Sequence, residues 1–529
     1  MPRALTQRTG LLHLCDMKKR LFLVQILLQW GIYAQAQQHD RFWITGYSLN
    51  GLPPYLANIV DFATSPPTVT AGVIPIETFG ATCTMSDAEG NLLFYTNGGQ
   101  VRNKNHQLIE NGDSLNVSPG EYPLQTYGTQ AAYPLTRTLL ILPGTHNKDL
   151  YHIIHLTHVW CGPAFPGICV RPMMHTLVDM SANNGAGKVI FKNRPLLNVW
   201  AMDKPNAVRH ANGRDWWIVV PDYLNATYHT LLFNDTGIVD SLTQEVGYKP
   251  APTHIDSLDR GGDNVFSPDG SVYVDSDARN GHRIFDFDRC TGQLSNFRWI
   301  QLPAQQPFGG AAVSPNSRFL YITASVWAMQ YDLWEPDIAA SVDTVAVWDG
   351  FCQPCPGSNT TFGECQLGMD GKIYVVPNNG VYFLNYIDKP DIKGKDCNMV
   401  QHGLQVPNWF VLATPVHPNY RLGALEGSPC DTLTVSATEA TKPLEGLRLY
   451  PNPAQDRVVL ELPETWTRNG AAEYRIYNTL GALAQGGTVA EGAETVFVPL
   501  TGLPNGLYVC QVLRDGRVLG TTKLSIVKN

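Results

Sequence analysis

The chain has 529 residues, which is too long for one ordinary domain, and we expect about three structural units. Charged residues make up 16% and hydrophobic residues 44% of the chain, with 47 glycines and 37 prolines. This composition excludes a disordered protein and is typical of a folded protein rich in strands and turns. The formal net charge of -8 provides no basic surface, so nucleic acid is excluded as a partner.

The first segment with a clear meaning begins at Met17. Three basic residues follow at 18–20, then an apolar run at 21–28 and the sequence Ala-Gln-Ala at 34–36. This is the order of a Sec-type signal peptide, so we expect residues 1–36 to be removed by cleavage after Ala36. Translation should start at Met17, with residues 1–16 either a mis-assigned start or an extension. The apolar run is shorter than the roughly 20 residues that span a bilayer, and we expect no transmembrane segment in the mature chain.

A turn followed by a strand recurs along the middle of the chain. Each copy has a short polar turn, usually with a glycine, that leads into alternating β-branched and aromatic residues, which is a hairpin signal. The copies lie at residues 86–95, 211–218, 266–273, 313–321 and 368–374, with a weaker one at 143–152. Their spacing averages about 56 residues, enough for the four short strands of a propeller blade. We therefore predict an all-β chain in which residues 37–432 form a WD40-like β-propeller, with seven blades favoured, six possible, and an array of β-sandwiches as the alternative.

Apolar periodicity stops after Cys430 and returns near residue 447. The intervening residues 433–446 contain Thr, Ser, Glu and Pro and are predicted to be a linker. Short strand patterns then follow at residues 447–450, 458–462, 474–477, 495–498, 507–512 and 522–527. Six such strands in about 85 residues predict a small immunoglobulin-like β-sandwich at residues 447–529.

Three phrases in this last region, at residues 449–456, 503–508 and 523–529, resemble the type A C-terminal sorting domain of type IX secretion in Bacteroidetes. The residues that carry the resemblance are Pro451, Asn452, Pro453, Asn505, Gly506, Leu507, Tyr508 and Lys523. The resemblance implies recognition by the type IX translocon and sorting machinery, removal of the domain and, in many members, attachment to surface lipopolysaccharide. The expected location is therefore the outer cell surface or the medium, reached by Sec export followed by type IX export.

The middle region is similar to uncharacterised propellers that accompany such tails in Bacteroidetes-type bacteria. The phrases that carry this second resemblance lie at residues 175–181, 208–217, 405–410 and 419–423. It supports the propeller architecture and implies no activity, cofactor or ligand.

Ten cysteines follow the predicted cleavage site, and an even number in an exported chain is compatible with disulfides. We expect short loop staples between Cys161 and Cys169 and among Cys352, Cys355 and Cys365. A redox or metal role for the Cys352-Gln-Pro-Cys355 sequence is the alternative. It is disfavoured because the sequence predicts neither a helix there nor a second such pair.

Candidate chemical groups are few. His152, His155 and His158 form the densest histidine cluster, but on a strand alternate side chains point to opposite faces, so His155 should point away from the other two. Residues 275–281 resemble a calcium-binding loop, but with the glycine misplaced, and a hairpin is favoured. Four carboxylates are candidates for the mouth of the propeller, namely Asp215, Asp222, Asp263 and Asp269, although most are expected in turns. We predict no metal site, no cofactor and no catalytic residue.

The functional interpretation is a binding or adhesion module for an unknown glycan or protein ligand, displayed on a rigid scaffold. A hydrolase or lyase acting on polysaccharide or peptide is the main alternative, and two carboxylates about 5 to 10 Å apart in a pocket would favour it. A structural surface or motility component is the third hypothesis. The sequence contains no catalytic signature, so a non-enzyme is favoured.

Overall fold

The computed structural model describes residues 37–48, 51–116, 136–160, 168–198, 204–222, 225–248, 263–278, 280–301, 309–353, 355–377, 379–410, 414–431, 447–468, 470–478, 483–514 and 517–528. The chain divides into two compact units, one ending at Leu433 and the other beginning at Thr434. Both consist almost entirely of antiparallel strands, which confirms the predicted all-β class. The predicted signal peptide at residues 1–36 and the predicted linker at 433–446 lie outside the described residues.

The described part of the first unit contains seven antiparallel sheets, numbered here in chain order. Sheets 1 and 2 have three strands each, namely β1 (Phe42–Gly46), β2 (Ala57–Asp61) and β3 (Thr68–Gly72), then β4 (Cys83–Ser86), β5 (Leu92–Thr96) and β6 (Val101–Asn103). Sheet 3 comprises β7 (Leu139–Pro143), β8 (Leu150–Trp160), β9 (Ile168–Asp179) and β10 (Lys188–Leu197). Sheet 4 comprises β11 (Asn206–Arg209), β12 (Trp216–Pro221), β13 (Thr227–Asn234) and β14 (Gly237–Glu245).

Sheets 5 to 7 also have four strands each. Sheet 5 comprises β15 (Asn264–Phe266), β16 (Val272–Asp277), β17 (Gly281–Phe287) and β18 (Leu294–Ile300). Sheet 6 comprises β19 (Gly309–Val313), β20 (Phe319–Ala324), β21 (Trp327–Asp332) and β22 (Asp343–Val347). Sheet 7 comprises β23 (Cys365–Leu367), β24 (Ile373–Val375), β25 (Val381–Ile387) and β26 (Met399–Phe410). In all seven sheets, strands that follow one another in the chain are neighbours in space.

Helical structure in the described ranges is limited to the four-residue helices α1 (Ala182–Gly185) and α2 (Glu464–Thr467) and the 3-10 turns Ala339–Ser341 and Gly394–Cys397. None of the helices that the structure describes is long and apolar enough to cross a membrane.

The recurring turn phrases are the connections between the first and second strands of sheets 2 to 7. In sheet 5 the Ser267 hydroxyl donates to Asp269 (2.6 Å) and accepts from the Val272 amide (2.9 Å). The Ser314 hydroxyl of sheet 6 makes the same two bonds, with Asn316 (2.7 Å) and the Phe319 amide (2.8 Å). These side chains replace backbone partners inside the turn, which is why such phrases specify hairpins.

Neighbouring sheets pack face to face and share apolar clusters. Sheet 7 also packs against sheet 1, where the Tyr374 ring lies 5.7 Å from Trp43 and 5.5 Å from Phe62, centroid to centroid. Beside this contact the Asn58 side-chain amide pairs with the backbone of Asn408, at 3.1 and 3.2 Å. Each other pair of neighbouring sheets also shares an apolar cluster. Taken in order from sheets 1 and 2 to sheets 6 and 7, the clusters are represented by Ile44 and Tyr95, Phe94 and Ile153, Ile153 and Trp216, Tyr228 and Phe285, Ile284 and Ile322, and Tyr321 and Ile373.

The second unit has two antiparallel sheets around one apolar core. Sheet 8 contains β27 (Arg448–Tyr450), β28 (Arg457–Glu461) and β31 (Thr495–Pro499). Sheet 9 has the order β30 (Leu483–Val489), β29 (Ala472–Asn478), β32 (Gly506–Arg514), β33 (Arg517–Ile526). All six predicted strands are present. A seventh strand, β30, was not predicted, because its glycines conceal the strand pattern. A side chain at Gly487 would collide with the Tyr474 ring, so the ring packs where only a glycine fits.

Candidate functional site

A cavity of about 290 Å³ lies among the first strands of sheets 4 to 7. These strands, β11, β15, β19 and β23, lie side by side in that order. The Asn206 side-chain amide donates to the Asn264 carbonyl (2.5 Å), which links β11 to β15. The cavity is lined by Asp40, Pro315, Gly371, Arg421 and residues 206–208, 265–268, 311–313, 365–369 and 417–419.

The remaining wall of the cavity is formed by the segment 414–431, which follows the last strand of sheet 7. Val416 forms a parallel bridge with Leu140 of β7, and the Arg421 guanidinium donates two bonds to Asp40, at 2.7 and 2.8 Å. A disulfide joins Cys430 to Cys290 in the turn before β18. The segment is therefore fixed at both ends, so the cavity has a preformed wall rather than a loose loop on this side.

The polar groups of the cavity wall are mostly committed to other protein groups. The Asn419 amide donates to the Pro268 carbonyl (2.7 Å) and accepts from the Arg421 amide (3.1 Å). Burial lowers the pKa of His417 to about 4, so this imidazole is neutral at neutral pH. Gln366 is half-buried, and the contact described for its side chain is a long bond to the Leu367 carbonyl (3.3 Å). The Gln366 amide is thus the wall group best able to bond a ligand.

A cluster of four buried charges lies next to the cavity, at the residues that precede β7, β11, β15 and β23. The Arg137 guanidinium is 3.1 Å from both Asp263 and Glu364, and it also donates to the Cys365 carbonyl (2.8 Å). Lys204 Nζ is 3.8 Å from Asp263 and 3.9 Å from Glu364. These four residues, from four different sheets, are called the charge cluster below.

The two carboxylates of the charge cluster are close enough for a hydrolase, since both lie 3.1 Å from the same Arg137 nitrogen and are at most about 6 Å apart. Neither carboxylate lines the cavity, however. Asp263 Oδ2 accepts the backbone N–H groups of Ala311 (3.1 Å) and Cys365 (3.5 Å), and the Thr136 hydroxyl donates to Glu364. These carboxylates hold strands of neighbouring sheets together, and they leave no face open to a substrate.

The other carboxylates considered from the sequence do not converge. Asp215 bonds the Asn212 amide (2.7 Å), and Asp269 bonds the turn residues Ser267 and Ser271. Both therefore lie in turns. Asp222 follows β12 and is half-buried.

The histidines of β8 diverge as strand geometry predicts. His152 lies 2.9 Å from His175 and 3.3 Å from Asp235, whereas His155 bonds Asn116 (2.5 Å). Burial lowers the pKa of His155 to about 3. The His158 side chain lies outside the described atoms. Within the described ranges, no three His, Cys, Asp or Glu side chains converge as metal ligands would.

The calcium-like segment forms the hairpin between β16 and β17. The Arg283 guanidinium donates to both carboxylate oxygens of Asp275, at 2.9 and 3.0 Å, and Asp277 accepts two bonds from Asn280.

Cys352 and Cys355 form one of the expected loop disulfides, while Cys365 is a buried free thiol. The Cys290–Cys430 disulfide was not predicted, because 140 residues separate its halves.

The predicted sorting-motif residues of the second unit fall into two groups. Asn452 bonds the backbone of β33, through Lys523 O and Ser525 N, both at 2.8 Å. Asn505 makes a similar pair of bonds with the backbone of Lys528, at 2.8 and 3.1 Å. Both asparagines are exposed to solvent, as are Pro451, Pro453, Gly506, Leu507 and Lys523.

Tyr508 and Lys528 complete this arrangement. The Tyr508 ring is buried in the core, and its hydroxyl donates to the Pro504 carbonyl (2.9 Å). Lys528 Nζ donates to the carbonyls of Leu500 and Leu503, both at 2.7 Å. Sequence reasoning missed Lys528, although a basic residue at the end of the last strand phrase was available as a signal.

Comparison with known proteins identifies the second unit. Residues 448–528 match the family model of the secretion system C-terminal sorting domain. No curated protein matches the chain. Among solved structures, a functionally unknown protein from Desulfotomaculum acetoxidans is 13% identical, with a TM-score of 0.37 over 71% of this chain and 100% of that one. A quinonprotein alcohol dehydrogenase-like protein from Bacteroides thetaiotaomicron is 12% identical, with a TM-score of 0.34 over 70% and 78%.

A protein from Lactobacillus plantarum is 13% identical to this chain, with a TM-score of 0.34 over 87% of this chain and 99% of that one. These TM-scores are too low for any conclusion about fold or function. The sorting domain is different, because its match covers the whole of the second unit's strands. The chain is exported by type IX secretion to the cell surface or the extracellular space.

Proposed function

We propose that the exported chain is a ligand-binding protein whose residues 37–432 form a seven-bladed β-propeller, with the ligand site in the central cavity. Residues 433–446 are the linker, and residues 447–529 are an immunoglobulin-like sorting sandwich that engages the type IX machinery. The seven described sheets and the direct packing of sheet 7 on sheet 1 support a closed ring of seven blades.

The observation that carries the binding proposal is the cavity itself. Its volume of about 290 Å³ lies just below the roughly 300–1,000 Å³ typical of small-molecule pockets. Its walls are strands from four sheets and a segment tied down by a disulfide and an ion pair. A preformed wall lowers the entropy that a ligand must overcome on binding.

The chemistry of the wall favours an uncharged ligand, such as one sugar of a glycan or a neutral peptide side chain. The Arg421 charge is matched by Asp40, and His417 is neutral. Val208, Phe266 and Met369 add apolar surface, and the Gln366 amide can accept or donate a hydrogen bond. A ligand with one apolar face and a few hydroxyl or amide groups matches this lining.

Binding is favoured over hydrolysis because the charge cluster uses both of its carboxylates internally. Asp263 accepts backbone N–H groups and pairs with Arg137, whereas Glu364 accepts from Arg137 and from the Thr136 hydroxyl. Neither lines the cavity. A general acid or a nucleophile must reach the substrate, which these two groups do not.

The test is an array of glycans and peptides probed with the purified full chain, followed by titration of each ligand found. Gln366→Trp would fill the cavity and should weaken binding by about tenfold or more, since it removes both the space and the amide. Gln293→Trp is the matched control, because Gln293 is exposed in the turn before β18 and distant in the chain from every lining residue. Failure of the parent chain to bind any ligand contradicts the proposal and favours a structural surface component.

A further inference from the structure

The motif residues of the sorting domain have two different environments. Asn452 bonds the backbone of β33, and Asn505 bonds the backbone of Lys528 just after it, so these side chains fix the position of β33. The Tyr508 ring is buried, and its hydroxyl bonds the Pro504 carbonyl. The side chains of Leu507 and Lys523 are exposed instead. Leu507 is 59% exposed, although it adjoins the buried Tyr508. A large apolar side chain exposed beside a structural one contributes little to folding, so its role must lie outside the core.

Strand register places these two exposed residues on one face of sheet 9. Tyr477 of β29 lies opposite both Leu483 of β30 and Val509 of β32, and Val509 lies opposite Lys523 of β33. These four residues form a row across the four strands. Leu507 is two residues from Val509 on the same strand, and so points to the same side of the sheet. We call this set of five residues the sheet 9 face.

The composition of the sheet 9 face is unusual for a solvated sheet. The outer face of an antiparallel sheet is normally polar. Here Leu483 is 58% exposed and Val509 is 36% exposed, in addition to Leu507. Contiguous apolar surface of this kind marks a site of interaction with another molecule. Lys523 adds a positive charge at the edge of the row, and Arg475, two residues from Tyr477 on β29, adds another on the same side.

We propose that the sheet 9 face is the surface by which the type IX secretion machinery recognises the sorting domain. The partner surface has a matching chemistry, an apolar patch with an acidic group opposite Lys523. The machinery is the occupant because the sorting domain must contact it, and because two of the exposed motif residues, Leu507 and Lys523, lie here. This inference rests on the sorting function of residues 447–529.

The neighbouring bonds explain how the face is presented. Asn452 and Asn505 tie down the two ends of the last stretch of β33, and Lys528 is held by the carbonyls of Leu500 and Leu503. β33 therefore remains in register with β32, so that Lys523 stays beside Val509. A partner then meets a preorganised surface.

The experiment measures export of the full chain in a bacterium with an active type IX system. Leu507→Asp should reduce the amount delivered outside the cell by about tenfold or more, because it places a charge in the centre of an apolar contact. Lys523→Glu should also reduce export, and Lys523→Arg should retain it. Phe497→Asp is the matched control, since Phe497 is 70% exposed but lies on sheet 8. It should be exported like the parent chain.

Each contrary outcome has a distinct meaning. Normal export of Leu507→Asp overturns the proposal, as does lost export of Phe497→Asp alone, which would place recognition on sheet 8. Equal impairment of both variants, with lowered urea midpoints of the purified chains, would show misfolding and also overturn it. If the parent chain is dimeric and Leu507→Asp is monomeric with normal export, the face binds a second copy. Deletion of residues 447–529 tests the sorting function separately from the sheet 9 face. If these residues direct export, the truncated chain should stay inside the cell, whichever surface the machinery recognises.

Discussion

Replacement of Arg137 by methionine should destabilise the first unit strongly, because Arg137 is the common partner in the charge cluster. The substitution keeps an apolar stem but removes the charge that faces Asp263 and Glu364, both almost fully buried. It also removes the donors to the Cys365 carbonyl and the Thr414 hydroxyl. Removal of one partner from a buried pair costs about 3–5 kcal/mol, because the remaining charge is left without compensation.

The loss should also depend on pH. Burial raises the pKa of Glu364 even though Arg137 and Lys204 oppose this rise. A carboxyl with a raised pKa in the folded state contributes its full stability below its unfolded pKa, and this contribution declines as the pH rises through the folded pKa. Without Arg137 the folded pKa rises further. The deficit of Arg137→Met should therefore be largest near about pH 8 and shrink towards about pH 5.

Urea unfolding of the purified full chain measures this effect, with the buried tryptophans of sheet 4 as the fluorescence probe. A deficit of this size should lower the midpoint by about 1 M or more. Arg41→Met is the control, because Arg41 and Asp61 form a partly exposed pair that should contribute less than about 1 kcal/mol. The double variant Arg137→Met/Glu364→Gln should recover part of the loss. A deficit below about 1 kcal/mol, or one equal at both pH values, would refute the role given to Arg137.

Two further substitutions test other parts of the fold. Cys290→Ser should lower the free energy of unfolding of the first unit by about 2–4 kcal/mol, because the disulfide to Cys430 closes a long loop. A reducing agent should then destabilise the parent chain more than the variant, because the variant retains only the Cys352–Cys355 disulfide, which closes a very short loop. Equal sensitivity of the two chains would contradict this role. Asn505→Ala should destabilise the second unit by about 1 kcal/mol, because it removes two exposed hydrogen bonds to the backbone N–H and C=O groups of Lys528, which water can replace in part. Gln485→Ala, which removes one exposed bond to Pro499, should have less effect in the same urea experiment.

Local chemistry made the hairpins predictable. The Ser267 and Ser314 turns contain their own hydrogen-bond partners within five residues, so the sequence alone specifies them. Sheet 1 lacks such a phrase between β1 and β2, which explains why six and seven blades both remained open from the sequence. The strand β30 was missed for a related reason, since Gly486 and Gly487 give it no β-branched or aromatic pattern.

The surroundings of the cavity could not be predicted, because its parts are distant in the chain. Arg137 and Glu364 are 227 positions apart, and neither belongs to a recognisable motif. Asp263 was identified as a candidate carboxylate, but its partners lie in, or directly before, strands of four other sheets. Nothing local distinguishes such a carboxylate from one in a turn. Three-dimensional packing decides whether an acidic side chain reacts, binds or holds strands together.

The same packing explains how the first unit can be stable independently of the sorting domain in the same chain. Arg421, near the end of the first unit, pairs with Asp40, near its beginning. Cys430 is bonded to Cys290 only three residues before that unit ends at Leu433. The first unit is therefore closed by bonds among its own residues, all before residue 434. Loss of residues after 433 removes none of these bonds, so the cavity should survive truncation of the chain at Leu433.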